Sequence, residues 1–198
     1  MAAPSCPDSA GHVFAEIYTA SMTRTAPLPL ARETLPTPVG EVILLTDDAG
    51  RLRALDFDTH LERMTRLLDR HYGRGGWIVR DAAEPTAAHA AMSRYFEGDL
   101  SAIDGLETAT GGTAFQREVW AALRQVAAAA PESYGALATR IGRPAAVRAV
   151  GLANGANPVA IVVPCHRVIG ANGALTGYGG GIERKQWLLE HEKRHVRS

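Results

Sequence analysis

The chain has 198 residues, 46% of them hydrophobic, and 21 Lys+Arg against 21 Asp+Glu give a formal net charge of zero. That is ample for a packed core, and no uninterrupted apolar stretch nears the ~20 residues of a membrane-spanning helix, so a soluble, unsecreted, cytoplasmic protein is expected. Two cysteines, Cys6 and Cys165, exclude a disulfide framework, and seven scattered histidines without CxxC or HExxH spacing argue against a metal centre.

Neutrality hides an asymmetry. Residues 1–110 carry 10 Lys+Arg against 16 Asp+Glu, and residues 111–198 carry 11 against 5. The second half is therefore the candidate polyanion binder.

Taken in chain order, residues 1 to about 28 mix Pro4, Pro7 and Pro27 with Ser, Thr and Ala and show no period, which predicts a mobile tail. Val42-Ile43-Leu44-Leu45, the turn residues Asp47-Asp48-Ala49-Gly50 and then Leu52 to Phe57 predict a β-hairpin. Leu61, Met64, Leu67 and Leu68 recur at helical spacing before Gly73, and Trp77-Ile78-Val79 offers a strand after the Gly75-Gly76 break. Ala88, Ala91, Met92, Tyr95 and Phe96 form the apolar face of a second helix that Gly98 stops. Residues 29–110 thus read as a small mixed α/β domain, with a boundary near Gly111-Gly112.

Beyond it the chain turns helical. Thr113 and Gln116 have capping-box spacing, and Phe115, Val119, Trp120, Leu123 and Val126 supply a buried face. Ser133 caps a short helix from Tyr134 to Ile141, Gly142 ends it, and Pro144 opens another through Ala145, Val147, Arg148 and Val150. Two short helices around a Gly-containing turn suggest a helix-turn-helix, which fits the positive balance of this half.

Chemistry concentrates at one point. An apolar run, Val159 to Val163 between Pro158 and Pro164, leads directly into Cys165-His166-Arg167. A thiol of ordinary pKa ~8.5 is mostly protonated at neutral pH, and adjacent imidazole or guanidinium groups can lower that value.

The stretch from Asn157 through Pro164-Cys165-His166-Arg167 to Gly170 resembles the active-site signature of the O6-alkylguanine-DNA alkyltransferases. The similarity runs from about Phe115 to Glu192, through Ser133-Tyr134-Gly135, Arg148-Ala149-Val150-Gly151, Gly177-Tyr178-Gly179-Gly180 and Trp187-Leu188-Leu189. It implies a ribonuclease-H-like α/β domain at residues 29–110 and a winged-helix domain at residues 111–198, which binds DNA and accepts the alkyl group.

By position, the resemblance makes Cys165 the nucleophile, His166 the base that forms its thiolate through a water, and Glu192 the carboxylate that orients the imidazole. Tyr134 would hydrogen-bond guanine and donate a proton to it. Arg148 would enter the base stack where the damaged nucleotide has rotated out, with Ala146, Ala149 and Gly151 close to the minor groove and Ser133 also on the DNA side. Asn157 would couple the helical hairpin to the cysteine loop, while Pro164, Val168, Tyr178 and Gly179 would line the pocket. Some relatives have serine at the position of Gly179, which leaves only a backbone donor here.

The resulting expectation is one-time repair of double-stranded DNA containing O6-alkylguanine, by a monomer that needs no cofactor, metal or membrane. Its thiolate should face a cavity that fits a flipped purine. O4-alkylthymine as a second substrate, cooperative binding, and a non-catalytic alkylated-DNA-binding protein as the alternative all stay open at this point.

Overall fold

A computed structural model describes residues 26–196. The expected tail falls outside the described residues except for its end, where Leu28 already opens a strand. That strand, β1 (Leu28–Leu35), has no counterpart in the sequence reading. Then come β2 (Val42–Thr46), β3 (Leu52–Phe57), α1 (Leu61–Tyr72), β4 (Trp77–Asp81) and α2 (Ala87–Phe96).

The four strands form one sheet in the order β3-β2-β1-β4, antiparallel except for the parallel β1–β4 pair. The turn between β2 and β3 closes on Asp47, whose carboxylate accepts from the backbone of Ala49 and Arg51, while Gly50 takes a positive φ of 75°. β2 is buried along its whole length because both faces of the sheet are covered. Ile43 and Leu45 pack with Met64 and Leu68 of α1, whereas Val42 and Leu44 face the opposite way, towards α2 and the second half of the chain.

The second half contributes α3 (Ala114–Leu123), the two-residue strand β5 (Glu132–Ser133), α4 (Tyr134–Arg140), α5 (Val147–Gly155), β6 (Val168–Ile169) and α6 (Ile182–His195). Thr113 and Gln116 make both bonds of the capping box on α3, and Ser133 Oγ accepts from Ala136 N to cap α4. Gly142, at φ 72°, ends the hairpin's first helix, and Pro144–Ala146 form a 3-10 turn before α5.

One apolar cluster joins the halves, running from Val42, Leu44 and Leu55 through Val119 and Leu123 to Val159, Ile161 and Leu188. The segment after α5 docks on the free edge of β3: Leu55 N donates to Pro158 O and Ala160 N to Leu55 O, both at 2.9 Å. These bonds anchor the apolar run that delivers Cys165. Ile161 within it has a positive φ of 67°, a strained conformation for a β-branched residue, and its side chain is fully buried.

Candidate active site

Cys165 begins a 3-10 turn, Cys165–Arg167, between the apolar run and β6. The residue is 4% exposed, and its thiol accepts from Asn157 Nδ2 at 3.1 Å. The same amide nitrogen donates to Val163 O at 2.8 Å, and Asn157 Oδ1 accepts from Val159 N. Asn157 lies two residues beyond α5, so it ties the end of the helical hairpin to the sulfur.

His166 is fully buried, and its Nε2 meets Glu192 Oε1 at 2.8 Å. Its Nδ1 is buried without a partner. Glu192, on the inner face of α6, also receives Arg167 Nε and Nη2 and the Tyr95 hydroxyl from α2. Burial works against its negative charge, yet His166 and Arg167 hold its carboxyl far below the usual range. Burial pushes the pKa of His166 down, which favours a neutral imidazole able to accept a proton.

Two expectations need correction. The thiol does not gain its favourable charge from its sequence neighbours: the Arg167 guanidinium is turned to Glu192 and to Val126 O. Burial instead pushes the Cys165 thiol up, the Asn157 hydrogen bond opposes this, and the nearby charges are Arg63, Asp56 and Lys185. Nor is the thiol open to solvent, since Cys165 is 4% exposed. A groove of about 780 Å³ lies instead between Pro164 and Arg167 on one side and Gly98, Arg124 and Val126 on the other.

Around the thiol, Tyr134 at the start of α4 is half-buried, and its hydroxyl accepts from Asn154 Nδ2 at 3.5 Å. Asn154 also donates to Cys165 O at 3.4 Å and keeps a buried Oδ1 without a partner. Tyr178 stands edge-on to His166 with ring centres 6.4 Å apart, its hydroxyl buried and unbonded. Val168 O accepts from Lys185 Nζ at 2.6 Å, which also donates to Thr176 O, so a fully buried ammonium pins the loop before Tyr178. Gly179 lies against the Arg63 guanidinium: a Cβ there would stand 2.7 Å from Cζ.

On the outer side of the hairpin, Arg148 and Ala149 are exposed, Ala146 and Gly151 are partly so, and Leu152 is 72% exposed. Gly151 abuts Tyr134, with its notional Cβ at 3.9 Å from the ring. Arg148 makes no hydrogen bond or ion pair among the described residues, unlike Arg140 and Arg143, which are engaged by Glu132 and Glu118. Ser133 spends its Oγ on the cap of α4.

Sequence reasoning missed Arg63, Tyr95, Asn154 and Lys185. Lys185 had a signal, since Lys185, Leu188 and Glu192 share one helical face at spacings of three and four. The other three act through contacts that no local pattern encodes. Among the described residues no group of three or more His, Cys, Asp or Glu could hold a metal ion, and no helix is long and apolar enough to cross a membrane.

A buried thiol, an imidazole–carboxylate pair and an exposed helical hairpin thus share one mixed α/β body. Residues 114–194 match the family model described as 6-O-methylguanine DNA methyltransferase, DNA binding domain. Over 165 residues the chain is 52% identical to the methylated-DNA–protein-cysteine methyltransferase of Salmonella typhimurium, covering 83% of this chain and 96% of that protein. Against the protein of the same name from Mycobacterium tuberculosis it is 46% identical over 162 residues, covering 81% and 90%.

Among solved structures, the Mycobacterium tuberculosis O6-methylguanine methyltransferase superposes with a TM-score of 0.66 at 40% identity, covering 85% of this chain and 96% of that one. The Mycobacterium tuberculosis OGT in complex with DNA gives 0.67 at 38% identity, covering 86% and 96%. The chain belongs to the methylated-DNA–protein-cysteine methyltransferase family.

Proposed function

We propose that this protein repairs double-stranded DNA by moving the alkyl group of O6-alkylguanine onto Cys165. His166 Nδ1 takes the thiol proton through a water, and the sulfur attacks the alkyl carbon. The carbon–O6 bond breaks, its electron pair returns to the purine, and Tyr134 supplies the proton that neutralises the departing base. The product thioether has no acidic proton and no good leaving group, so each molecule acts once.

The observation that carries this reading is the pairing of His166 with Glu192. It occupies Nε2 and leaves Nδ1 as a buried, unbonded nitrogen one residue from the thiol. Two further unbonded polar atoms, Asn154 Oδ1 and the Tyr178 hydroxyl, suit a purine with several donors and acceptors. With Cys165 4% exposed, base admission requires the site to open, and on this reading the part that moves is the glycine-rich segment 177–181, which sets Tyr178 beside His166. Tyr178, Gly179, Pro164 and the Val168 carbonyl then form the pocket walls.

On this reading residues 29–110 are a ribonuclease-H-like half and residues 111–198 a winged-helix half, supported by the α4–α5 hairpin and the small β5–β6 pair. Arg148 fills the gap left by the extruded nucleotide, Ala146, Ala149 and Gly151 allow close approach to the minor groove, and Ser133 stands at the edge of that surface. On the same reading the protein acts as a monomer in the cytoplasm.

The test is incubation with an oligonucleotide carrying labelled O6-methylguanine, followed by peptide mass mapping. One methyl group on Cys165, lost in Cys165→Ala, is the expected result. An intact lesion in a stable complex would instead reveal a binding protein.

A further inference from the structure

Arg63, in the first turn of α1, reaches into the second half of the chain. One Nη donates to Asp56 of β3, whose side chain is 2% exposed, and the other donates to the carbonyls of Gly155 at 2.9 Å and Asn157 at 3.0 Å. Those carbonyls stand at and just beyond the end of α5, where acceptors have no partner within the helix. Asn157 passes the constraint on, because its side chain meets the Cys165 sulfur at 3.1 Å. The guanidinium also fills the space beside Gly179. A single side chain of the first half thus touches the end of the hairpin, the thiol's hydrogen-bond donor and the glycine loop.

We propose that Arg63 is a positioning residue for Cys165: anchored by Asp56, it fixes Asn157 against the sulfur and holds a positive charge beside it. The proposal rests on Cys165 being the alkyl acceptor. The charged and titratable groups around the thiol are Arg63 from α1, Asp56 from β3, Lys185 from α6, Tyr134 from α4, Tyr178 from the glycine loop and the adjacent His166. Arg63 and Lys185 favour the thiolate, and Asp56 and burial oppose it.

A purely mechanical clamp and a charge-bearing positioner differ in sign. Arg63→Met and Asp56→Asn break the same ion pair, so a mechanical clamp loosens alike in both. An electrostatic role moves the thiol titration up in the first and down in the second.

The experiment follows carbamidomethylation of Cys165 by iodoacetamide from pH 6 to 11. Label is mapped to the Cys165 peptide, so that Cys6 does not contribute, and the rate with free O6-benzylguanine is measured alongside. In Arg63→Met the midpoint should rise by about half a unit or more, and in Asp56→Asn it should fall. Arg63→Lys should return the midpoint towards wild type while recovering only part of the O6-benzylguanine rate, since an ammonium cannot reproduce the planar fork.

Unmoved midpoints, or shifts of the same sign in Arg63→Met and Asp56→Asn, overturn the proposal. Should Arg63→Met fail to fold, a downward shift in Asp56→Asn supports the proposal and its absence refutes it. If wild-type protein ignores O6-benzylguanine, the alkyl-transfer reading falls, while the iodoacetamide midpoints still decide what Arg63 does to the thiol.

Discussion

The hydroxyl of Tyr95 donates to Glu192 Oε1 at 2.8 Å, the oxygen that also meets His166, although 97 residues of chain separate tyrosine and glutamate. A buried carboxylate is tolerated only when its lone pairs are satisfied, and Tyr95, His166 and Arg167 together satisfy these. Tyr95→Phe removes one neutral donor and leaves the rest. Stability should drop by about 1–3 kcal/mol with an unchanged urea m-value, measured by denaturant unfolding, and alkyl transfer should slow less than in any Glu192 variant.

Glu192→Gln takes away the charge that orients His166 and strands the Arg167 guanidinium. Transfer to O6-benzylguanine should slow by about a hundredfold or more, as expected when a general base loses its orienting partner. The acid behaviour should change as well. The folded carboxyl titrates below its unfolded value of about 4.3, so its contribution to stability is present above that pH and lost as the pH falls further. Melting temperature plotted from pH 3 to 7 should decline less steeply on the acid side in Glu192→Gln than in wild type, from a lower neutral value.

Arg148 stands free on the outer face of α5, so its substitution should matter only when DNA is present. A stacking contact is worth ~1–3 kcal/mol, so Arg148→Ala should slow repair of a duplex oligonucleotide by about fivefold to a hundredfold. Its rate with free O6-benzylguanine should stay within about twofold of wild type, since stacking into the duplex is not involved. Equal losses on both substrates would count against the role.

Alkylation itself should weaken the fold. Cys165 is 4% exposed and its sulfur already accepts from Asn157, so a new S-benzyl group must push neighbours aside at a cost of ~1–3 kcal/mol. For a chain of this size that corresponds to a fall of roughly 2–12 °C in melting temperature after reaction with O6-benzylguanine. An unchanged melting curve for protein that mass analysis shows to be fully alkylated would contradict it.

How much of this was readable in the chain depended on how local the cause was. Asp47 to Gly50 announce the β2–β3 turn, and Thr113 with Gln116 announce the start of α3, because each device closes within a few residues. The strand β1 escaped notice because Pro29 and the polar Arg32-Glu33-Thr34 hide its alternation. Pro29 is tolerated at the strand's second residue, and Glu33 is buried only because Thr86, 53 residues later, donates to it.

The site divides in the same way. Cys165, His166, Tyr134, Asn157 and Glu192 were placed by the family signature and come together. The groups that set the charge around the sulfur were not read, because Arg63 finds its backbone acceptors 92 and 94 residues away. Adjacency misled in the case of Arg167, which follows the nucleophile in sequence yet serves the carboxylate on α6.

Those long-range bonds make the weakly patterned first half more than a carrier. A fragment beginning at residue 111 would hold the entire signature motif and every atom assigned to the reaction. It would lack the guanidinium that seats Asn157, the phenol that completes Glu192 and the strand on which Pro158 and Ala160 dock. Such a fragment should be inert even if it dissolves and binds DNA, because the upstream residues hold the reacting groups in place.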